Sequence, residues 1–283
     1  MLKYRIISFP LLLALVAAVF FWKTGGVYLF SLLAVAGSAA LLFEAGRLCN
    51  KIDIKNDPLF CAVCGALLSA AFLAVKLPLP GDRAPCFQLF PAVLAAVVML
   101  PCVYALFMLI GKKTDAVRRA AGDMGILGIF GIPVLLLEML YFKTLGGIPL
   151  LFYVICVTKA MDTGGYIFGM ASARLLPGGN HKIAPSISPK KSWEGVAGGM
   201  LFSVTASLIF RHFCGGDLLV FIAHGVILSL LSLAGDLTES SLKRAAGVKD
   251  SANWIPGMGG VFDVLDSFLY VGYFMLFSNI GQK

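Results

Sequence analysis

Charge is scarce in this chain. Asp, Glu, Lys and Arg make up 13% of its 283 residues, about half the share usual in a soluble domain, while hydrophobic types make up 59%. With a mean hydropathy of +0.90, too little polar surface remains to cover a water-soluble globule, which excludes that class. A disulfide framework is also lacking. The seven cysteines (49, 61, 64, 86, 102, 156 and 214) are odd in number and lie mostly in apolar stretches, where thiols behave as small hydrophobes. Cys61 and Cys64 form a CxxC with no second pair and no nearby histidine, so metal or redox use is not expected of them. No repeat of fixed period and no low-complexity tract is present.

What is there reads as an all-α polytopic membrane protein. A helix needs about 20 apolar residues to cross the hydrocarbon, and nine segments approach this: 5–22, 26–43, 59–75, 87–111, 124–142, 148–169, 194–213, 217–235 and 261–280. The first has Lys3 and Arg5 ahead of it, as a signal peptide would. Phe20, Phe21, Trp22 and Lys23 stand where a small-residue cleavage site belongs, so a retained helix is expected. With nine spans, 16 of the 23 Lys and Arg fall on the side of the N-terminus and six on the other, which assigns the first side to the cytoplasm. The net charge of +8 therefore reads as topology signals and contacts to anionic lipid or phosphate, and nucleic acid is not an expected partner.

Charge density rises after residue 157. The chain divides into an N-terminal transmembrane region, 1–156, and a catalytic transmembrane region, 157–283, with cytoplasmic loops 170–193 and 236–260. The glycine patterns Gly195 to Gly199 and Gly125, Gly128, Gly131 read as close helix packing.

Ionisable groups at membrane depth are expensive, and five carboxylates stand out in the second half: Asp162, Asp236, Glu239, Asp263 and Asp266. Asp263 and Asp266 are three apart, so both project from one helical face and can address one cation. Asp236 and Glu239 repeat that spacing. Between the two pairs lie Ser240, Lys243, Arg244, Lys249 and Asp250, then a glycine-rich turn ending in Gly259 and Gly260. Glycines ahead of a helix let backbone N–H groups approach an anion, so the combination points to a metal–polyphosphate site. Upstream, Ser188, Pro189, Lys190, Lys191 and Ser192 form a second polar element, in which Ser192 is placed to cap the helix beginning near Trp193. A transporter with a carboxylate cation site is the alternative from these residues alone. Acids at span ends beside lysine-rich loops favour the enzyme.

The stretch from Ser240 to Asp266 resembles the signature of the phosphatidate cytidylyltransferase, or CDP-diacylglycerol synthase, family. The residues that carry the likeness are Ser240, Lys243, Arg244, Lys249, Asp250, Pro256, Gly259, Gly260, Asp263 and Asp266, supported upstream by Ser188 to Gly195 and by Asp162, Tyr166 and Gly169. Met258 stands where the family usually has His, and Val264 where it usually has Arg. The resemblance implies transfer of CMP from CTP to phosphatidic acid, giving CDP-diacylglycerol and pyrophosphate, or the same transfer to another lipid phosphate. It implies Mg2+ held by Asp236, Asp263 and Asp266, with a second, monovalent cation as an option. It gives Asp236, Asp263, Lys243, Lys249 and Asp250 catalytic roles, and assigns substrate contacts to Ser188, Lys190, Lys191, Ser240, Arg244, Gly259 and Gly260. The expected partners are CTP, phosphatidic acid, membrane lipids and a second copy of the chain in a homodimer. The expected location is a bacterial cytoplasmic membrane, with the active site facing the cytoplasm.

Overall fold

The computed structural model describes residues 2–77, 91–99, 102–103, 106, 110, 114–145, 147–177 and 179–278. The chain runs through α1 (Leu2–Phe21), α2 (Gly26–Lys51), α3 (Pro58–Lys76) and α4 (91–99), then α5 (Thr114–Ile126). A π turn, Leu127–Gly131, joins α5 to α6 (Ile132–Tyr141). After a short hairpin of β1 (Thr144–Leu145) and β2 (Ile148–Pro149) come α7 (Leu150–Leu175), the hairpin β3 (Lys182–Ala184) and β4 (Ser188–Ser192), α8 (Trp193–Cys214) and α9 (Leu218–Ala245). The last described elements are α10 (Val261–Leu265), a 3-10 turn at Asp266–Phe268, and α11 (Val271–Phe277).

The protein is a helical integral membrane protein, but nine spans are not found among the described residues. Among the described residues six helical stretches are long and apolar enough to cross a membrane: Gly26–Lys51, Pro58–Lys76, Thr114–Tyr141, Leu150–Leu175, Trp193–Cys214 and Leu218–Ala245. The apolar part of α1, Pro10–Phe21, is shorter, and about half of the expected span 87–111 lies outside the described residues. The expected span 261–280 is corrected by the structure, because it is interrupted after five residues and resumes only at Val271. The stretch 236–260 begins as helix, since α9 continues to Ala245, and 170–193 holds the end of α7 and an antiparallel hairpin.

Two compact units divide the contacts. One takes the chain up to Leu135 together with Ala245–Val264; the other takes Leu136–Arg244 and the chain from Leu265 onward. Within the first, Asp57 caps α3 by accepting from the N–H groups of Leu59 and Phe60 at 3.0 and 3.2 Å, with Pro58 opening the helix, a pairing that satisfies donors left over at a helix start. Cys61 and Cys64 are buried, and the Cys61 thiol donates to Asp123 of α5 at 3.4 Å. Gly125 and Gly128 have open space beside them, and only Gly131 comes near a neighbour, Leu42, so the second glycine pattern is not a packing seam among the described residues.

In the second unit α7 and α8 approach closely, as the Gly195 to Gly199 pattern requires. A β-carbon at Gly164 would press on the Gly198 carbonyl oxygen and the Phe202 side chain, and one at Gly195 would press on the Gly165 carbonyl oxygen. Small residues allow such backbone approach in place of a hydrophobic drive between helices. The Ser203 hydroxyl donates across this seam to the Val157 carbonyl oxygen at 2.9 Å. Deeper in the unit, the Ser207 hydroxyl donates to the Phe221 carbonyl oxygen at 2.7 Å and lies 2.8 Å from the Tyr153 hydroxyl.

Candidate active site

The last turns of α9 carry Asp236, Glu239, Ser240, Lys243 and Arg244. Spacings of three, four, seven and eight put them on one face of the helix. Glu239 is almost fully buried and pairs with Lys243, one turn on, at 2.7 Å. The Ser240 hydroxyl donates to Asp236 at 3.3 Å. Asp266 comes to this face because Gly235 has no side chain: a β-carbon there would overlap the Asp266 carbonyl oxygen. One carboxylate oxygen from each of Asp236, Glu239 and Asp266 then lies within 4.8 Å of the others.

Three carboxylates this close repel one another, and burial compounds the effect. Burial, and after it the Asp236 carboxylate, push the Asp266 carboxyl up to about 6. The Ser267 hydroxyl donates to it at 2.8 Å. Lysines offset the other two charges. Lys191 of β4 reaches Asp236 at 2.7 Å, as Lys243 reaches Glu239. Neighbouring residues of a strand project to opposite faces, so Lys190 does not share that contact and is exposed. The Arg244 guanidinium donates to the Ile187 carbonyl oxygen in the β3–β4 turn at 3.3 Å, which holds the hairpin at the C-terminal end of α9. Ser188, paired with Ala184, opens β4, and Ser192 closes it by accepting from the Gly195 N–H at 3.2 Å, the expected cap of α8.

Lys159 and Asp162 of α7 form a further ion pair at 2.9 Å, and the Lys159 ammonium also donates to the Ser267 hydroxyl at 3.2 Å. Lys159 also lies over the Phe268 ring, 5.2 Å from its centroid. A second-half carboxylate singled out by sequence, Asp162, is thereby tied to the segment bearing Asp266.

Asp263 belongs to the other unit and has its own surroundings. One of its carboxylate oxygens accepts from the Ser251 N–H at 2.9 Å, the Ser251 hydroxyl at 2.6 Å and the Gly260 N–H at 2.7 Å. Gly259 has φ +100, and a β-carbon there would overlap the Asp263 carboxylate; both facts call for glycine. The N–H groups of Val261 and Phe262 donate to Glu44 of α2, each at 3.0 Å. The amides of residues 260–262, which the sequence offers to a phosphate, are thus taken by carboxylates of the protein. Lys249 and Asp250 are exposed.

Sequence reasoning missed Glu44, Ser251 and Lys159. Glu44 sits in an otherwise apolar segment, and its partners are more than 200 residues downstream, so no local spacing flags it. Glu239 was visible as a carboxylate but carried no assigned role. An all-oxygen donor set of Asp236, Glu239 and Asp266 suits a hard divalent cation such as Mg2+, so these residues fit the metal that the sequence implies.

A model of the cytidylyltransferase family matches residues 3–279. The chain belongs to that family. Among curated family members, a phosphatidate cytidylyltransferase of Staphylococcus aureus (strain COL) is 33% identical over 215 residues, covering 75% of this chain and 77% of that protein. A protein of the same name from Haemophilus influenzae is 42% identical over 141 residues, 46% of this chain and 47% of its own length. One from Staphylococcus haemolyticus is 40% identical over 127 residues. The match thus spans about half the length of the Haemophilus relative and more than three quarters of the Staphylococcus aureus one.

Proposed function

We propose that this member of the cytidylyltransferase family is a phosphatidate cytidylyltransferase, transferring CMP from CTP to phosphatidic acid. The observation that carries the reading is the group formed by Asp236, Glu239 and Asp266, with Lys191 and Lys243 attached to it, in a chain whose family match runs nearly end to end. In the reaction an oxygen of the lipid phosphate forms a bond to the α-phosphorus of CTP. The bond from that phosphorus to the bridging oxygen breaks, and pyrophosphate leaves with the electron pair. The attacking phosphate is already an anion, so no protein nucleophile and no dedicated base is required.

What the protein must supply is charge neutralisation and alignment. Asp236, Glu239 and Asp266 would hold Mg2+, and Asp263 is assigned a cation-binding role on its own unit. Bound there, Mg2+ supplies positive charge against the triphosphate oxygens, which offsets the charge that builds on the leaving group. Lys191 and Lys243 already neutralise two of the acids, and their ammonium groups would be the nearest cations for phosphate oxygens. Arg244 is assigned to the triphosphate, Lys190 to the phosphate of lipid or nucleotide, and Lys249, on its own unit, to a phosphate contact. The catalytic groups come chiefly from 157–283, and the site faces the cytoplasm of a bacterial cell.

An acceptor panel tests the substrate. The purified protein is given CTP, Mg2+ and, in turn, phosphatidic acid, lysophosphatidic acid and a polyprenyl phosphate. The highest kcat/KM is expected for phosphatidic acid; a higher value for the polyprenyl phosphate would reassign the acceptor and keep the chemistry.

Orientation has its own check. Lys190→Cys and Arg244→Cys, each in a cysteine-free background, should resist an impermeant thiol reagent in intact cells and react once the membrane is opened. Labelling of either from outside would reverse the topology.

Restoring the two family residues is a further test. If Lys190 and Lys191 supply the positive charge lost at Val264, Met258→His with Val264→Arg should change kcat/KM for phosphatidic acid by less than about tenfold, or about 1.4 kcal/mol. A gain of several hundredfold would mean that nothing replaces the missing groups.

A further inference from the structure

Glu44 is one of the least exposed charged residues in the protein, at 1% relative accessibility, and it lies on α2, far in sequence from the acids of the second half. Each of its carboxylate oxygens is engaged. Oε1 accepts from the Val261 N–H at 3.0 Å; Oε2 accepts from the Phe262 N–H at 3.0 Å and from the Ser251 hydroxyl at 2.6 Å. The Ser251 hydroxyl lies equally close, 2.6 Å, to the Asp263 carboxylate, and the Ser251 and Gly260 N–H groups donate to that same Asp263 oxygen. A hydroxyl carries one proton, so Ser251 stands between two carboxylates and serves one at a time. Gly260 completes the arrangement. A β-carbon there would overlap both Glu44 Oε2 and the Ser251 hydroxyl. A buried carboxylate survives without a cation only where several donors converge on it, and here those donors are the turn that leads into Asp263.

We infer that Glu44 is a positioning residue for Asp263: it fixes the 251–262 turn through two main-chain amides and Ser251, and so sets the orientation of the Asp263 carboxylate toward its cation. This rests on the reading of Asp263 as a cation-binding carboxylate. Glu44 acts through Ser251 and the turn and touches no substrate. Partners that orient a metal-binding group typically cost 10- to 100-fold in metal affinity or activity when removed. Gln at 44 keeps the shape, but its amide nitrogen cannot accept, so one of the donors loses its partner.

The test uses the full chain in detergent, with Glu44→Gln, Ser251→Ala, the double variant and Asp263→Asn in parallel. Without metal, amide hydrogen exchange at Val261 and Phe262 should be at least about tenfold faster in Glu44→Gln than in the parent. With CTP and phosphatidic acid, the Mg2+ concentration for half-maximal rate should rise about tenfold or more in Glu44→Gln and in Ser251→Ala. The double variant should be no worse than the more severe single one, because both act along one connection. A merely structural role predicts fewer active molecules with an unchanged Mg2+ requirement, and that result would overturn the inference. Losses that multiply in the double variant would overturn it too. If Glu44→Gln does not fold, Ser251→Ala alone decides by the same Mg2+ criterion. Asp263→Asn separates the two levels: an unchanged Mg2+ requirement there removes the cation role of Asp263, whereas a raised one beside an unchanged Glu44→Gln removes only the inference about Glu44.

Discussion

Asp236→Asn is expected to lower kcat/KM at least about a thousandfold, equivalent to about 4 kcal/mol of transition-state stabilisation. The side chain keeps its shape and still accepts from Ser240, so the loss is one of charge. That charge has two uses. It makes one third of the group formed with Glu239 and Asp266, and it holds Lys191 at 2.7 Å. On the proposed function a divalent ion would lose a formal anionic ligand, and the lysine would lose the partner that keeps it near the substrate phosphates. Folding should survive, because the Lys191–Asp236 pair is only partly buried, at 21% and 28% side-chain exposure, and the freed ammonium can turn to water. Expression and thermal midpoint should therefore stay near the parent values. Activity within tenfold of the parent at ordinary Mg2+ would remove Asp236 from the metal site.

Gly235→Ala should be nearly as damaging, although it changes no polar group. The added methyl would overlap the Asp266 carbonyl oxygen, which is backbone and cannot rotate away as a side-chain tip would. The 266–268 turn must shift, and Asp266 then leaves the reach of Asp236 and Glu239. Overpacking of this kind costs about 1–3 kcal/mol in stability. The catalytic loss should exceed it, about a hundredfold or more, because placement errors of an ångström at a reacting centre are expensive. A raised Mg2+ requirement should accompany the fall in rate. Unchanged kinetics in Gly235→Ala would show that the approach of α9 to Asp266 is not what assembles the acids.

Part of the candidate site in the second half was legible because its information is local. The three-residue spacing of Asp236 and Glu239 was readable and α9 keeps it, whereas Ser240, Lys243 and Arg244 were read as part of a loop and join that face because the helix continues to Ala245. The Ser192 cap and the glycine seam of α8 were likewise readable from a few neighbouring residues. Hydropathy failed at 261–280, since it counts apolar side chains and is blind to what interrupts them. There the Asp266 carboxylate accepts from Ser267, the Leu269 N–H donates to the Asp266 carbonyl oxygen, and the chain tightens into a 3-10 turn. The hairpin at 182–192 was read as loop because two strands of three and five residues leave no periodicity to find. Glu44 was invisible for a different reason. It is a single acid in an apolar run, and its partners Ser251, Val261 and Phe262 lie at the far end of the sequence.

The measurement that bears most directly on the central claim is a label-position experiment with the purified chain in detergent. CTP labelled at the α-phosphorus and CTP labelled at the γ-phosphorus are each incubated with phosphatidic acid and Mg2+, and lipid and aqueous phases are counted separately. The account predicts α-label in the lipid phase and γ-label in aqueous pyrophosphate, in equal amounts, with neither product when phosphatidic acid is omitted. It is contradicted if folded protein leaves the α-label in water, or if γ-label enters the lipid.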